Sequence, residues 1–251
     1  MLVGMIQSNY IPWRGYFDFI ASVDHFLLYD DVPLGMGRTW RNRNRIQTQR
    51  GVKWLTVPIY HDSAAARICD VRICYQYDWM ARHCGQLIAA YRHGRYFGAY
   101  FPKFREIIHR RYERLSVLNE ALIRWIVAEL RIDTTITPVA NLCHPPAPRD
   151  ARPIEILKRL GATAYLTGPN TLSYTNCCAY RAHGISLRVK DYTYASYRPL
   201  GEDFIEDLSI LDLLFSLGPT AHQHIRSHQR DYSPTCQRGV CEQANSEKGR
   251  A

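Results

Sequence analysis

The sequence predicts an α/β protein with a parallel-leaning sheet core, on three observations. The chain opens with a short apolar run, Leu2–Ile6, that ends in polar Gln7-Ser8-Asn9, which reads as a buried strand running into a loop. From Gly15 to Val23, the residues Tyr16, Phe17, Phe19, Ile20 and Val23 fall at helical spacing. A second apolar run, Phe26-Leu27-Leu28-Tyr29, then stops at Asp30-Asp31. Strand, helix, strand within 31 residues is a β-α-β unit, and such units imply parallel strands joined by a crossover.

The later elements follow from pattern. Pro33 to Arg50 is rich in Gly and Arg and poor in apolar residues, and reads as a functional loop. Trp54–Ile59 reads as a strand with Pro58 at its end. Cys69–Cys74 alternates like a strand. Trp79 to about Leu130 reads as three amphipathic helices inserted into, or covering, the sheet. Strands are predicted at Thr134–Val139, Ala164–Thr167 and Ile185–Val189, with helices at Arg152–Leu160, Asn176–His183 and Ile210–Phe215. Gly161 and Gly184 are placed as helix stops, and Asp203 and Ser209 as helix caps. The expected organisation is a single α/β domain over 1–218. Its helical segment spans about 79–130, and a polar tail, expected to be disordered, follows at 219–251.

Composition narrows the function. With 46% hydrophobic and 22% charged residues, the chain can bury a core. A net charge of +9 favours anionic partners. No apolar run reaches the length of a membrane span, and Met1–Gln7 lacks the basic start and cleavage site of a signal peptide, so a cytoplasmic location is expected. The eight cysteines show no C-x-x-C spacing and are expected to be reduced thiols; Cys177-Cys178 has no visible base partner for a nucleophilic role. His222, His224 and His228 fall in the polar tail and read as solvated. Phosphate-loop, dinucleotide and hydrolase-elbow sequences are all missing.

Three constellations carry chemistry. Gln7, Asn9, Tyr10 and Trp13 lie where the first strand feeds the first helix; the amides are suited to hydrogen bonding and the aromatics to walling a sugar or base. Asp30 and Asp31 end the second strand, where one could serve as a base or hold Mg²⁺ with a substrate phosphate; the strand pleat turns only one of them toward the site. Arg41, Asn42, Arg43 and Arg45 form an alternating basic segment suited to phosphate or carboxylate. Nucleic-acid binding would need aromatics interleaved along that segment, and only Trp40 and Trp54 are near it.

These segments together resemble the WbqC-like family, whose members carry Q-P-N-Y-L-P-W-x-G-Y-F, then D-D-V, W-x-N-R-N-R-I and W-L-T-V-P. Here the corresponding stretches are Gln7–Phe17, Asp30-Asp31-Val32, Trp40–Ile46 and Trp54–Pro58. Tyr165–Gly168 and Leu208–Phe215 match later segments, while Ser8 and Ser216 replace the usual Pro and Asn. The resemblance implies a place in surface-polysaccharide (O-antigen) or other biosynthetic clusters. It also implies transfer of glycine or a similar acyl group to an amino sugar.

The strand–loop–helix–strand opening is also similar to nucleotidyltransferase-like folds that bind ATP, one of which makes an amide through an acyl-adenylate; ATP and Mg²⁺ are the cofactors that analogy suggests. The leading expectation is therefore a transferase or ligase that forms an amide. Its substrate would be a small anionic molecule such as a nucleotide-linked sugar, with nucleic acid entering only as tRNA serving as donor. The alternatives are a non-catalytic binder of a phosphorylated metabolite and an RNA- or aminoacyl-tRNA-using protein.

Overall fold

Five short apolar runs come together as one parallel sheet in the computed structural model, which describes residues 1–35, 37, 39–60, 66–142, 151–197, 205–228, 231–237 and 240–242. The strands are β1 (Leu2–Ile6), β2 (His25–Leu28), β5 (Thr135–Pro138), β6 (Ala164–Thr167) and β7 (Ser186–Val189). They lie in the order β5-β2-β1-β6-β7, every pair parallel. The chain grows from β1 through β2 to β5 on one side, then returns to β1's other edge with β6. That reversal puts a topological switch point between β1 and β6, where sheets of this kind bind ligands outside the carboxyl ends of their strands.

Helices cover both faces, so each strand must be apolar in both phases. On one face lie α1 (Arg14–Ala21), α2 (Trp79–Tyr91), α3 (Phe97–Ile108), α4 (Leu115–Glu129) and α7 (Ile210–Leu217), sharing a core with Phe26 and Leu28 of β2. On the other lie α5 (Arg152–Arg159) and α6 (Cys177–Ala182), which pack on Val3, Met5 and Leu27. Gly4 faces α1 so closely that a Cβ would sit 2.4 Å from the Phe19 ring, a distance that only glycine allows. Caps are local in the sequence: Asp78, Asn176 and Ser209 each accept a backbone N–H of the helix they begin.

The structure departs from expectation in four places. Residues 43–56 are a hairpin, β3 (Arg43–Thr48) and β4 (Gly51–Thr56), paired antiparallel; the sequence suggests a loop through residue 50, and the strand it predicts at Trp54–Ile59 overlaps β4 only at 54–56. The loop reading fails because the outward face of β3 is Arg43, Arg45 and Gln47, and its inward face includes the polar Asn44, so no apolar alternation shows. Residues 69–74 form no strand but a 3₁₀ turn, Ile68–Asp70, and isolated bridges from Arg72 and Ile73.

Part of the expected tail folds back. A 3₁₀ segment spans Gly218–His224, Ala221 and Ile225 are buried, and Tyr232 bridges to Val189. Lys190, itself buried, pairs with both Asp18 and Asp231 at 3.0 and 2.9 Å, which fastens residue 231 to the sheet. A short hairpin, β8 (Thr235–Gln237) and β9 (Val240–Glu242), follows. Residues 243–251, and the expected cap Asp203, lie outside the described residues. Cys177 is disulfide-bonded, against the expectation of reduced thiols, while Cys69, Cys74 and Cys84 are free. No helix among the described residues is long and apolar enough to cross a membrane.

Gly4→Ala should lower stability by about 1–3 kcal/mol through overpacking against Phe19. Urea denaturation would measure it, and a companion Gly4→Ala/Phe19→Leu variant should recover part of the loss.

Candidate functional site

The loop from Gln7 to Trp13 leaves β1 at the switch point and bends sharply. Ile11 adopts a φ of 38°, a left-handed conformation that a β-branched residue rarely takes. Asn44 of β3, fully buried, holds that bend by donating to the carbonyls of Tyr10 (3.2 Å) and Ile11 (2.8 Å). A third bond, Tyr10 N–H to the Trp40 carbonyl at 3.1 Å, ties the loop to the residue before Arg41.

This brings Arg41 over the tip of β1. Its guanidinium donates to Gln7 Oε1 at 2.9 Å and to Asn9 Oδ1 at 3.4 Å. Burial lowers its pKa, while Tyr16 and Asp30 nearby oppose that effect. Asp30, at the end of β2, is only 5% exposed and accepts the Ser8 N–H at 2.7 Å. Burial raises the Asp30 pKa above the ordinary carboxylate value, opposed by the Ser8 hydrogen bonds and Arg41. Tyr16 closes the cluster by donating to the Gln7 carbonyl at 3.1 Å, and burial pushes its phenol well up.

Asn119 comes from α4 and is fully buried. It donates to the Arg41 carbonyl (2.8 Å) and to Ser8 Oγ (3.3 Å). Arg41 Nε and Asn119 Oδ1 are buried without a protein hydrogen-bond partner. A buried donor and a buried acceptor left unmatched at one place is the pattern of a site that a ligand or solvent completes.

The other sequence candidates go elsewhere. Asp31 takes a different partner from Asp30, an ion pair with Arg152 at the start of α5. Tyr10 is in the core, not on a ligand: it is fully buried and its hydroxyl meets His83 Nδ1 at 3.0 Å. Trp13 packs on Tyr192 and Tyr194 and lies across Gly15, where a Cβ would meet its ring at 2.4 Å. Asn42 donates to the Val57 carbonyl and so joins the strands. Arg43 stacks on Trp54, and Arg45 pairs with Asp207. Gln7, Asn9, Arg41 and Asp30 thus share one place, while Tyr10, Asp31, Asn42, Arg43 and Arg45 do not.

Sequence reasoning did not single out Ser8, Tyr16 or Asn119 as site residues. Asn119 had a signal: it is the polar member of an otherwise apolar stripe of Leu115, Leu118, Leu122, Ile123 and Ile126. A separate hollow of about 370 Å³ lies among Val23, Leu130, Asp133, Thr134 and Arg226. It sits at the amino-terminal edge of the sheet, the end where parallel α/β sheets do not bind ligands.

A doubly wound parallel α/β protein with a polar, charge-bearing cluster at the carboxyl ends of β1 and β2 is the class that fold and site define. The chain belongs to the WbqC-like protein family, whose model matches residues 7–224. It is 34% identical over 244 residues to the uncharacterized protein Rv1507c of Mycobacterium tuberculosis, covering 89% of this chain and 97% of the relative. No solved structure matches this chain.

Asp30→Asn should leave the fold intact, because the amide oxygen still accepts the Ser8 N–H. The sign of its effect follows from the raised pKa. The folded state binds the Asp30 proton more tightly than the unfolded state does. Stability is therefore lost as pH rises from the ordinary carboxylate pKa through the raised one, and at neutral pH the charge opposes folding. Thermal melts at pH 7 should show the variant as stable as the native chain or more so, with a smaller fall in stability between pH 4 and 7.

His83 has the opposite sign. Burial lowers its pKa from 6.5 to about 4, so the unfolded state takes up its proton first as pH falls. Stability should drop by up to about 3 kcal/mol between pH 6.5 and 4, and His83→Gln should flatten that part of the profile.

Proposed function

We propose that this protein forms an amide bond, transferring an acyl or aminoacyl group such as glycine onto an amine of an amino sugar, in surface-polysaccharide or related biosynthesis. The observation that carries the reading is the convergence of Asp30, Arg41, Gln7 and Asn9 at the carboxyl end of β1 and β2. Membership of the WbqC-like family supports the pathway class.

The chemistry assigns each group a task. The amine nitrogen attacks the acyl carbonyl carbon, and its proton passes to the Asp30 carboxylate. A carboxylate with a raised pKa holds that proton better than an ordinary one and so works as a base nearer neutral pH. The leaving group departs with the bonding electron pair. Arg41 meets the negative charge that grows on the acyl oxygen or on a leaving phosphate, in a setting where burial strengthens the interaction. Gln7 and Asn9 fix the guanidinium plane, and the buried Asn119 Oδ1 is an acceptor placed for a substrate N–H or O–H. Asp31 is a positioning residue that anchors α5 through Arg152. A cytoplasmic location goes with a nucleotide-linked amino-sugar substrate.

The test is a mass-spectrometric screen of the purified chain. Nucleotide-linked amino sugars would be paired with glycine and other acyl donors, with and without ATP and Mg²⁺. The expected result is a product heavier by one acyl group, with Asp30→Asn slower by about 10²–10⁴-fold, the range for losing a general base. Arg41→Lys should fall steeply too, since an ammonium cannot reproduce the fork held by Gln7 and Asn9. Full turnover by Asp30→Asn would remove Asp30 from the mechanism. Ligand binding without product from any donor would assign the same cluster to a non-catalytic binder of a phosphorylated metabolite.

A further inference from the structure

The hairpin β3–β4 has two faces of opposite character. Its inner face, Asn44, Ile46 and Leu55, is buried in the core. Its outer face follows from the register: Arg43 opposite Thr56, Arg45 opposite Trp54, Gln47 opposite Val52. Trp54 and Val52 on that face are 36% and 39% exposed, and Trp40, just ahead of β3, is 39% exposed. The Trp40 and Trp54 rings lie 5.2 Å apart between centroids. The Arg43 guanidinium sits 3.6 Å from the Trp54 centroid, and that of Arg45 sits 5.6 and 5.7 Å from Trp40 and Trp54. Exposed Arg50 in the turn extends the positive charge, whereas Lys53, opposite Ile46, belongs to the other face. Beyond β4, exposed Tyr60 carries Arg72 above its ring at 5.0 Å.

The fold does not need this face, because the inner side already supplies the hairpin's packing. Two neighbouring, partly exposed indoles, one of them under the Arg43 guanidinium, form a flat cationic and aromatic surface suited to planar rings carrying negative charge. We infer that the outer face of β3–β4 binds single-stranded nucleic acid, with bases stacking on Trp40 and on the Arg43 guanidinium that lies over Trp54, and the backbone running toward Arg50 in the turn. Interleaved aromatics and cations on an open strand face are the arrangement that holds unpaired strands without reading their sequence. A free mononucleotide would want a concave pocket burying most of its surface, and this face is open. Protein interfaces are also rich in Trp and Arg, so the oligomeric-mass readout below separates that occupant from nucleic acid. Asp207 pairs with Arg45 at the rim, so a strand either displaces that carboxylate or passes beside it.

This inference concerns binding alone and stands apart from the amide-forming reaction, so its test reads no turnover. Fluorescence anisotropy of a labelled single-stranded oligouridylate at low salt should give a dissociation constant in the micromolar range or tighter, weakening steeply as salt rises. Trp40→Ala and Trp54→Ala should each weaken binding by about 5- to 100-fold, the range for losing one base stack, with melting curves close to native. A duplex of the same length should bind more weakly, because its bases are already stacked.

Three results would each overturn the assignment. The first is no binding at low salt. The second is equal binding by the double variant, which would leave charge alone. The third is uridine monophosphate matching the oligonucleotide in affinity, which would make the face a mononucleotide site. A native chain that ignores RNA but loses oligomeric mass when the tryptophans are removed would make this face a protein interface instead.

Discussion

Asn44 is the constraint on which the arrangement at the switch point rests. Its amide reaches across from β3 to the carbonyls of Tyr10 and Ile11 and holds a β-branched residue at positive φ. A conformation of that kind costs of order 1–3 kcal/mol and persists only where its surroundings fix it. Here the surroundings are a hairpin whose inner face is locked into the core by Ile46 and Leu55. Gln47 N–H bonds the Tyr91 hydroxyl, which in turn donates to Asp212 on α7, so the hairpin is tied to two helices as well. The same hairpin delivers Arg41 to Gln7 and Asn9. One strand pair therefore both bends the ligand-side loop and supplies its charge.

That coupling explains why the segment 40–46 looks uniform in sequence and is divided in space. Successive residues of a strand point to opposite sides. Arg41, preceding the strand proper, turns toward β1. Arg43 and Arg45 turn outward onto Trp54 and Trp40, and Asn42 and Asn44 become backbone fasteners. An alternating Arg-Asn run thus encodes three jobs, and reading it as one anion grip conflates them. Asp30-Asp31 divides the same way, one carboxylate to Ser8 N–H and the other to Arg152.

The fold was legible wherever burial on both faces leaves a continuous apolar run: Leu2–Ile6, Phe26–Leu28 and Ala164–Thr167 could be read directly. The order of the strands was not, since it depends on which edges meet after long crossovers. The hairpin escaped because its inner face includes a polar residue, Asn44, whose burial is satisfied only by a loop 33 residues away. The fold-back of 218–232 escaped because it is held less by apolar bulk than by Lys190 bridging Asp18 and Asp231, partners scattered over 213 positions. At the site, Gln7, Asn9, Arg41 and Asp30 were visible as polar residues at strand ends. Tyr10 was misleading because a tyrosine beside them can satisfy its hydroxyl inward, on His83, as readily as on a ligand.

The electrostatics of the cluster give its chemistry a direction. Asp30 and Arg41 are both withdrawn from water, and burial works against charge on each: it raises the carboxyl and lowers the guanidinium. Each also favours the other's charged form. Asp30 is held by Ser8 and Arg41 by Gln7 and Asn9, not by each other. Two opposite charges held near each other by separate partners are not spent on one ion pair. A ligand that brings a proton to Asp30 and an anionic oxygen to Arg41 relieves the cost of both burials at once. An apolar ligand relieves neither. The separately held charges and the unmatched Nε and Oδ1 atoms therefore suit an occupant with both a hydrogen-bond donor and an anionic or acceptor oxygen.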